Sequence, residues 1–194
     1  GAGTRLWPNS KNHQAKQFID FGNWTLLGKT LERTKASIFD APVISTNKKY
    51  LKQVKQHLKR FKISKYKIVL EPAKRNTAPA ILSTALIKDI PDNQPLMFFT
   101  ADHLIEKMSI FNKAINKNKK NLSDQNIFIF GIKPTSPSSE YGYFLTKKIK
   151  GNINKVTRFI EKPKEAKAKQ IIKNKGYWNS GMFYLRKDSI INNF

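Results

Sequence analysis

Apolar residues along the chain fall into short runs of strand length, separated by stretches in which they recur every three or four positions. Residues 41–45, Ala-Pro-Val-Ile-Ser, predict a strand. From 48 to 61, Leu51, Val54, Leu58 and Phe61 share one face with lysines opposite, the pattern of an amphipathic helix. Residues 66–70 predict a second strand and 77–90 a second helix. The run Leu96-Met97-Phe98-Phe99-Thr100 is almost continuously apolar, as expected of a strand buried on both faces. A polar helix over 109–121 then leads into a strand at 127–131. Such alternation predicts an α/β fold with a mainly parallel sheet and helices on both faces. After Pro134 the texture changes, because predicted strands at 141–147 and 155–160 flank a Gly151-Asn152 turn, a small antiparallel excursion. A helix over 165–175 and a strand over 177–185 follow. Neither an internal repeat nor a long linker interrupts the pattern, so one α/β domain is expected.

Composition narrows the function classes. No run of about 18 apolar residues is present, so no membrane-spanning helix is predicted. The first residues lack the basic-then-apolar layout of a secretion signal. There are no cysteines, which excludes disulfides and thiolate metal sites and suits the cytoplasm. A formal charge of +24 invites a nucleic-acid reading. The excess is mostly lysine spread along the whole chain, accompanied by abundant asparagine, as in Asn116-Lys117-Asn118-Lys119-Lys120-Asn121. That joint usage points to A/T-rich coding rather than to a binding arm, so no specific nucleic-acid partner is expected. The field would still draw anionic substrates in faster.

Four segments carry candidate chemistry. Gly1-Ala2-Gly3-Thr4-Arg5-Leu6-Trp7-Pro8 is glycine-rich and then cationic. Glycines let backbone N–H groups approach phosphate oxygens, and an arginine fork binds them bidentately. The spacing fits neither a Walker loop nor a dinucleotide fingerprint. Lys16 could add a second cation, although an ordinary flexible terminus would look similar. At 71–80, Glu-Pro-Ala-Lys-Arg-Asn-Thr-Ala-Pro-Ala joins a strand end to a helix start. Asn76 or Thr77 is a plain N-cap there, yet a carboxylate and an amide beside free helix N–H groups could also read a purine edge. Asp102 follows the most apolar strand, where open α/β sheets bind ligands. A carboxylate in that place can hold Mg²⁺ against nucleotide phosphates or simply cap the turn. With three histidines and no cysteine, a zinc site has little support. Last come Glu140-Tyr141-Gly142-Tyr143, Phe159-Ile160-Glu161-Lys162-Pro163 and Trp178-Asn179-Ser180-Gly181-Met182-Phe183, whose aromatics, glycines and Glu-Lys pair suit a sugar-phosphate pocket or a sheet core.

Together and in order, these blocks closely resemble the mannose-1-phosphate guanylyltransferases, within the sugar nucleotidylyltransferases. Residues 1–18 resemble the family's Gly-x-Gly-Thr-Arg-Leu-Trp-Pro signature ending in Lys-Gln-Phe, and 71–81 its Arg-Asn-Thr-Ala-Pro-Ala block. The Ala-Asp-His, Gly-Ile-Lys-Pro, Tyr-Gly-Tyr, Glu-Lys-Pro and Trp-Asn-Ser-Gly-Met-Phe blocks also have counterparts, and the likeness runs from Gly1 to about Arg186. The resemblance implies a Rossmann-like nucleotidyltransferase fold and the transfer of GMP from GTP to mannose 1-phosphate, with Mg²⁺. It implies that Gly1, Gly3, Thr4 and Arg5 wrap the triphosphate while Lys16 neutralises charge near the α-phosphate. Glu71, Asn76, Thr77 and Ala78 would line the guanosine, and Asp102 would bind Mg²⁺. Gly142, Glu161, Lys162 and Asn179 would face the sugar phosphate. Ala15 stands where the signature usually carries proline, and Glu140 where many members carry glycine. The family's first strand and second metal aspartate would fall before Gly1 and beyond Phe194, so a partial catalytic domain is expected. A related enzyme for dTTP and glucose 1-phosphate, a catalytically inactive homologue and a basic nucleic-acid-binding domain are the competing readings. A homo-oligomer stays open.

Overall fold

A computed structural model describes residues 15–72, 77–151 and 153–193. The chain divides into two compact units, Gly1–Ile127 with Leu185–Phe194, and Phe128–Tyr184.

In the first unit a 3-10 turn, Lys16–Phe18, precedes helix α1 (Leu26–Arg33). Thr25 caps α1, its Oγ1 accepting from Gly28 N at 2.9 Å. Strand β1 (Val43–Asn47) leads through the 3-10 turn Lys48–Tyr50 into α2 (Leu51–Arg60) and then β2 (Lys67–Glu71). The two strands pair in parallel, Val43 opposite Lys67 and Asn47 opposite Glu71. Helix α3 (Thr77–Ala85), strand β3 (Pro95–Phe98) and α4 (Met108–Asn118) complete the forward course. Its core includes a cluster of Ala15, Phe18, Leu27, Leu31, Val54, Leu58 and Ile63, with Ile44, Ile68 and Ala101 packed against it. The predicted amphipathic face of 48–61 supplies Val54 and Leu58. Each fully buried aliphatic side chain contributes about 1.5–3 kcal/mol.

The second unit takes in most of β4 (Ile127–Ile132), then β5 (Tyr143–Lys150), β6 (Ile153–Ile160), α5 (Glu165–Lys173) and β7 (Tyr177–Arg186). Here β7 pairs with β4 and β5, and β5 with β6. Tyr143, Ala168 and Ile171 form its buried centre, with Leu145, Ile160 and Trp178 against them. The chain then re-enters the first unit as α6 (Lys187–Ile191), where the buried Lys187 ammonium donates to the carbonyls of Ile90 (2.6 Å) and Ile87 (3.3 Å) and pairs with Asp92 at 3.0 Å.

The α/β class holds, but the mainly parallel sheet does not form. The parallel sheet is small, β1 with β2, and the larger sheet is antiparallel where β5 meets β6 and β7. The expected antiparallel hairpin does form, β5 and β6 being joined through Gly151, whose φ of +57° suits a tight turn. What departs is its extent: β7 returns to pair antiparallel with β5, so the excursion becomes part of the larger sheet. Strand β3 also departs from expectation, since its four residues are half-buried rather than buried on both faces. The apolar run outlasts the strand, and Phe99 leaves it to pack edge-on against Phe39 and tilted against Phe111.

Two helix ends share an unusual feature. At the end of α2, Ile63 N donates to Leu58 O and Lys62 N to Lys59 O, the paired bonds of a Schellman motif, with Lys62 at φ +53°. The end of α5 repeats it, with Gly176 N to Ile171 O, Lys175 N to Ile172 O and Lys175 at φ +56°. In each case a lysine occupies the left-handed position that glycine fills without steric cost. Lys62→Gly and Lys175→Gly are therefore expected to raise the free energy of unfolding by roughly 0.5–1 kcal/mol each in urea melts. Leu58→Ala, which empties the core beneath α2, should lower it by about 2–5 kcal/mol. Destabilisation by both glycine variants would contradict this account of the helix ends.

Candidate active site

Two alanines bring the central pair together. Ala15 is 1% exposed in the core of the first unit, and Ala101 packs against that same core. Their chain neighbours, Lys16 and Asp102, meet with Nζ and Oδ2 3.6 Å apart. Ala15 has φ −67°, the value a proline would impose, so packing holds here what the ring holds in the family signature. Phe18, also buried, closes the other side of the turn and leaves Lys16 to project outward.

Both members of the pair are about one-third exposed, at 36% and 34%. A pair this open to water is worth about 0–1 kcal/mol, so its partners exchange at little cost. The His103 ring lies beside it, Nε2 at 3.8 Å from Asp102 Oδ1. Burial, together with the charges of Lys16 and Arg33 and against the pull of Asp102, holds His103 below its ordinary pKa. The ring is therefore neutral at pH 7 and adds no charge to the pair. Among the described residues no three His, Cys, Asp or Glu side chains converge as a metal cage. A lone carboxylate on a turn nevertheless fits Mg²⁺, which takes one or two protein carboxylates and completes its shell with water and substrate phosphates.

Glu71 closes β2 directly opposite the end of β1. Its Oε1 accepts from Ser45 Oγ at 2.5 Å, and its carbonyl accepts from Asn47 Nδ2 at 3.1 Å. Thr77 and Ala78 open α3 and are exposed, leaving the first turn of the helix accessible. Gly1, Gly3, Thr4, Arg5 and Asn76 lie outside the described residues.

In the second unit, Gly142, Glu161 and Asn179 converge. Asn179 N donates to Gly142 O at 2.8 Å, and Asn179 Oδ1 accepts from Gly181 N at 3.0 Å. A Cβ on Gly142 would stand 2.8 Å from Glu161 Oε2 and 2.9 Å from Phe159 Cζ, so a side chain here would push the carboxylate or the ring aside. Lys162 pairs with Glu161 at 3.8 Å and has φ +40°, a strained conformation of the kind that gathers at functional positions. Tyr143, fully buried, ties the preceding turn by accepting from Ser138 N (2.9 Å) and donating to Ser138 O (3.0 Å). Tyr141 leans over Trp178 with ring centres 4.9 Å apart, and the indole N–H is buried without a partner among the described residues.

The sequence pattern did not single out Ser45 or Arg33. Arg33 ends α1 and donates from Nη2 to the His103 carbonyl at 2.9 Å. A signal for α1 was present, Thr25 as a cap followed by Leu26, Leu27 and Leu31 on helical spacing.

Residues 1–192 match the nucleotidyl transferase family. The chain is 34% identical to alginate biosynthesis protein AlgA of Pseudomonas fluorescens over 192 residues, 96% of this chain and 40% of that protein. It is 36% identical to a mannose-1-phosphate guanylyltransferase of Escherichia coli over 193 residues, 94% of this chain and 42% of that one. The chain thus spans less than half the length of these curated relatives. Among solved structures, one described as mannose-1-phosphate geranyltransferase from Thermus thermophilus superposes with a TM-score of 0.85 at 26% identity, covering 99% of this chain and 56% of that chain. Among the described residues, no helix is long and apolar enough to cross a membrane.

The close approach at Gly142 makes one substitution diagnostic. Gly142→Ala must displace the Glu161 carboxylate or the Phe159 ring. If Glu161 holds a sugar hydroxyl, calorimetric titration should show sugar-phosphate binding weakened by about tenfold or more, the loss of one hydrogen bond to a charged group. Unchanged affinity would remove Glu161 from the binding site.

Proposed function

The chain belongs to the nucleotidyl transferase family, and on that premise we propose that the protein carrying it transfers GMP from GTP to mannose 1-phosphate, releasing pyrophosphate and GDP-mannose. The observation that carries the reading is the meeting of Lys16 and Asp102 at 3.6 Å on the turn that follows β3. A cation and a carboxylate in weak, water-accessible contact are the two groups a metal–triphosphate requires, one for a phosphate oxygen and one for the ion. The name of the Escherichia coli relative and the Arg75–Ala80 block support the choice of guanine over thymine or uracil.

The chemistry needs no nucleophile from the protein. A phosphate oxygen of mannose 1-phosphate attacks the α-phosphorus of GTP in line. One P–O bond forms, the bond to the bridging oxygen of pyrophosphate breaks, and that oxygen keeps the electron pair. Acceleration then comes from positioning and from neutralising charge on the phosphates. Lys16, held outward by the buried Ala15 and Phe18, faces the phosphate charge, and Arg5 with the glycines of residues 1–4 wraps the remaining oxygens. Asp102 would hold Mg²⁺, which when bound supplies further charge neutralisation to the triphosphate. Glu71, Asn76, Thr77 and Ala78 line the guanosine, with Glu71 braced by Ser45. Gly142, Glu161, Lys162 and Asn179 receive the sugar phosphate. The reading calls for no specific nucleic-acid partner and no membrane, and for a cytoplasmic setting.

Two measurements test the proposal. With Mg²⁺, the full-length protein is expected to release pyrophosphate from GTP and mannose 1-phosphate well ahead of dTTP, UTP or ATP. Equal rates with dTTP and glucose 1-phosphate would overturn the guanylyl assignment, and salt-sensitive nucleic-acid binding without turnover would favour a basic binding domain. Lys16→Ala should lower turnover by about 10²–10³, the effect of removing one preorganised charge contact, with little change in mannose 1-phosphate affinity. Near-normal turnover would reduce Lys16 to scaffold.

A further inference from the structure

Arg33 is a charge in an expensive place. It is 4% exposed, at the last position of α1, with its guanidinium 5.3 Å from the centre of the Phe99 ring. Its Nη2 donates to the carbonyl of His103, while Nε and Nη1 are buried without partners among the described residues. A buried cation so incompletely bonded is a poor source of stability, since desolvation opposes whatever its contacts return. A leucine at this position would serve the core better. What the guanidinium does achieve is positional. It grips the carbonyl of His103, one residue beyond Asp102, and lies over the ring of Phe99, which directly follows β3, so the end of α1 holds the turn that carries Asp102 from both sides.

We propose that Arg33 is a positioning residue for Asp102, and that its hydrogen bond to the His103 carbonyl and its cation–π contact with Phe99 set the affinity of the Asp102 carboxylate for a divalent cation. This rests on the reading of Asp102 as the metal-binding carboxylate. The Arg33 side chain touches neither ion nor substrate. It acts by fixing the backbone on which Asp102 turns outward. Lysine is not an equivalent substitute, because a compact ammonium cannot reach the carbonyl and keep a delocalised guanidinium charge over the ring at the same time.

The test measures Mn²⁺ binding by the full-length protein with GTP, read from the paramagnetic resonance signal of free Mn²⁺ and independent of turnover. Arg33→Met should weaken Mn²⁺ binding by about tenfold or more, as losing a group that orients a metal ligand does. Arg33→Lys should fall between Arg33→Met and the natural protein. Ile171→Val, which loosens the separate core of the second unit, should lower the melting temperature and leave Mn²⁺ binding unchanged. If Arg33→Met binds Mn²⁺ as tightly as Ile171→Val does, the inference is overturned. Should Arg33→Met fail to fold, Arg33→Lys carries the same comparison. Asp102→Asn separates the two layers. Weakened binding there but not in the Arg33 variants sinks the positioning role alone, whereas unchanged binding in Asp102→Asn sinks the metal reading and this inference with it.

Discussion

Burial of the α1 leucines against α2 is the constraint on which the first unit depends. Leu27 and Leu31 enter a cluster with Val54 and Leu58 from α2 and with Ala15 and Phe18 from the segment before α1. That one apolar contact decides where three polar groups go. It fixes Ala15 and Phe18 inward and therefore Lys16 outward. It receives Ala101 and so presents Asp102 to Lys16. It sets the end of α1 so that Arg33 reaches the His103 carbonyl. The candidate phosphate end of the site is the polar margin of a hydrophobic core, and its geometry follows from side chains that touch no ligand.

The two units carry different kinds of cost. In the first, the cost is a desolvated guanidinium. In the second it is backbone conformation, with Lys162 held at φ +40° beside Glu161. Lys62 and Lys175 are left-handed too, at exposed helix ends where a Schellman motif fixes the turn. Lys162 stands apart because it lies in the Glu-Lys-Pro block and ends no helix.

Much of the element order was legible because its signals are local. The face of Leu51, Val54 and Leu58 marked α2, and the Gly151 turn marked the β5–β6 hairpin. Sheet direction was less legible, because strand–helix alternation speaks to neighbours in sequence while pairing is decided over long range. The expected parallel sheet gave way to β5 lying between two antiparallel partners. As candidates, Lys16, Glu71 and Asp102 in the first unit and Gly142 in the second were legible from motifs, since each sits at the end of an element or in a tight turn where chemistry is usually placed. Arg33 could not, because its contact spans 70 residues and an arginine in a helix has no pattern of its own. Ser45 reaches Glu71 across 26 residues by the same kind of long-range register.

The central claim is that Lys16 and Asp102 hold each other only until a metal–triphosphate takes both. A crystal structure of the full-length protein with Mg²⁺ and GTP tests it directly. The account predicts a metal ion on the Asp102 carboxylate and the Lys16 ammonium turned from Asp102 to a phosphate oxygen. Bound GTP with the Lys16–Asp102 pair intact and the triphosphate elsewhere would contradict it.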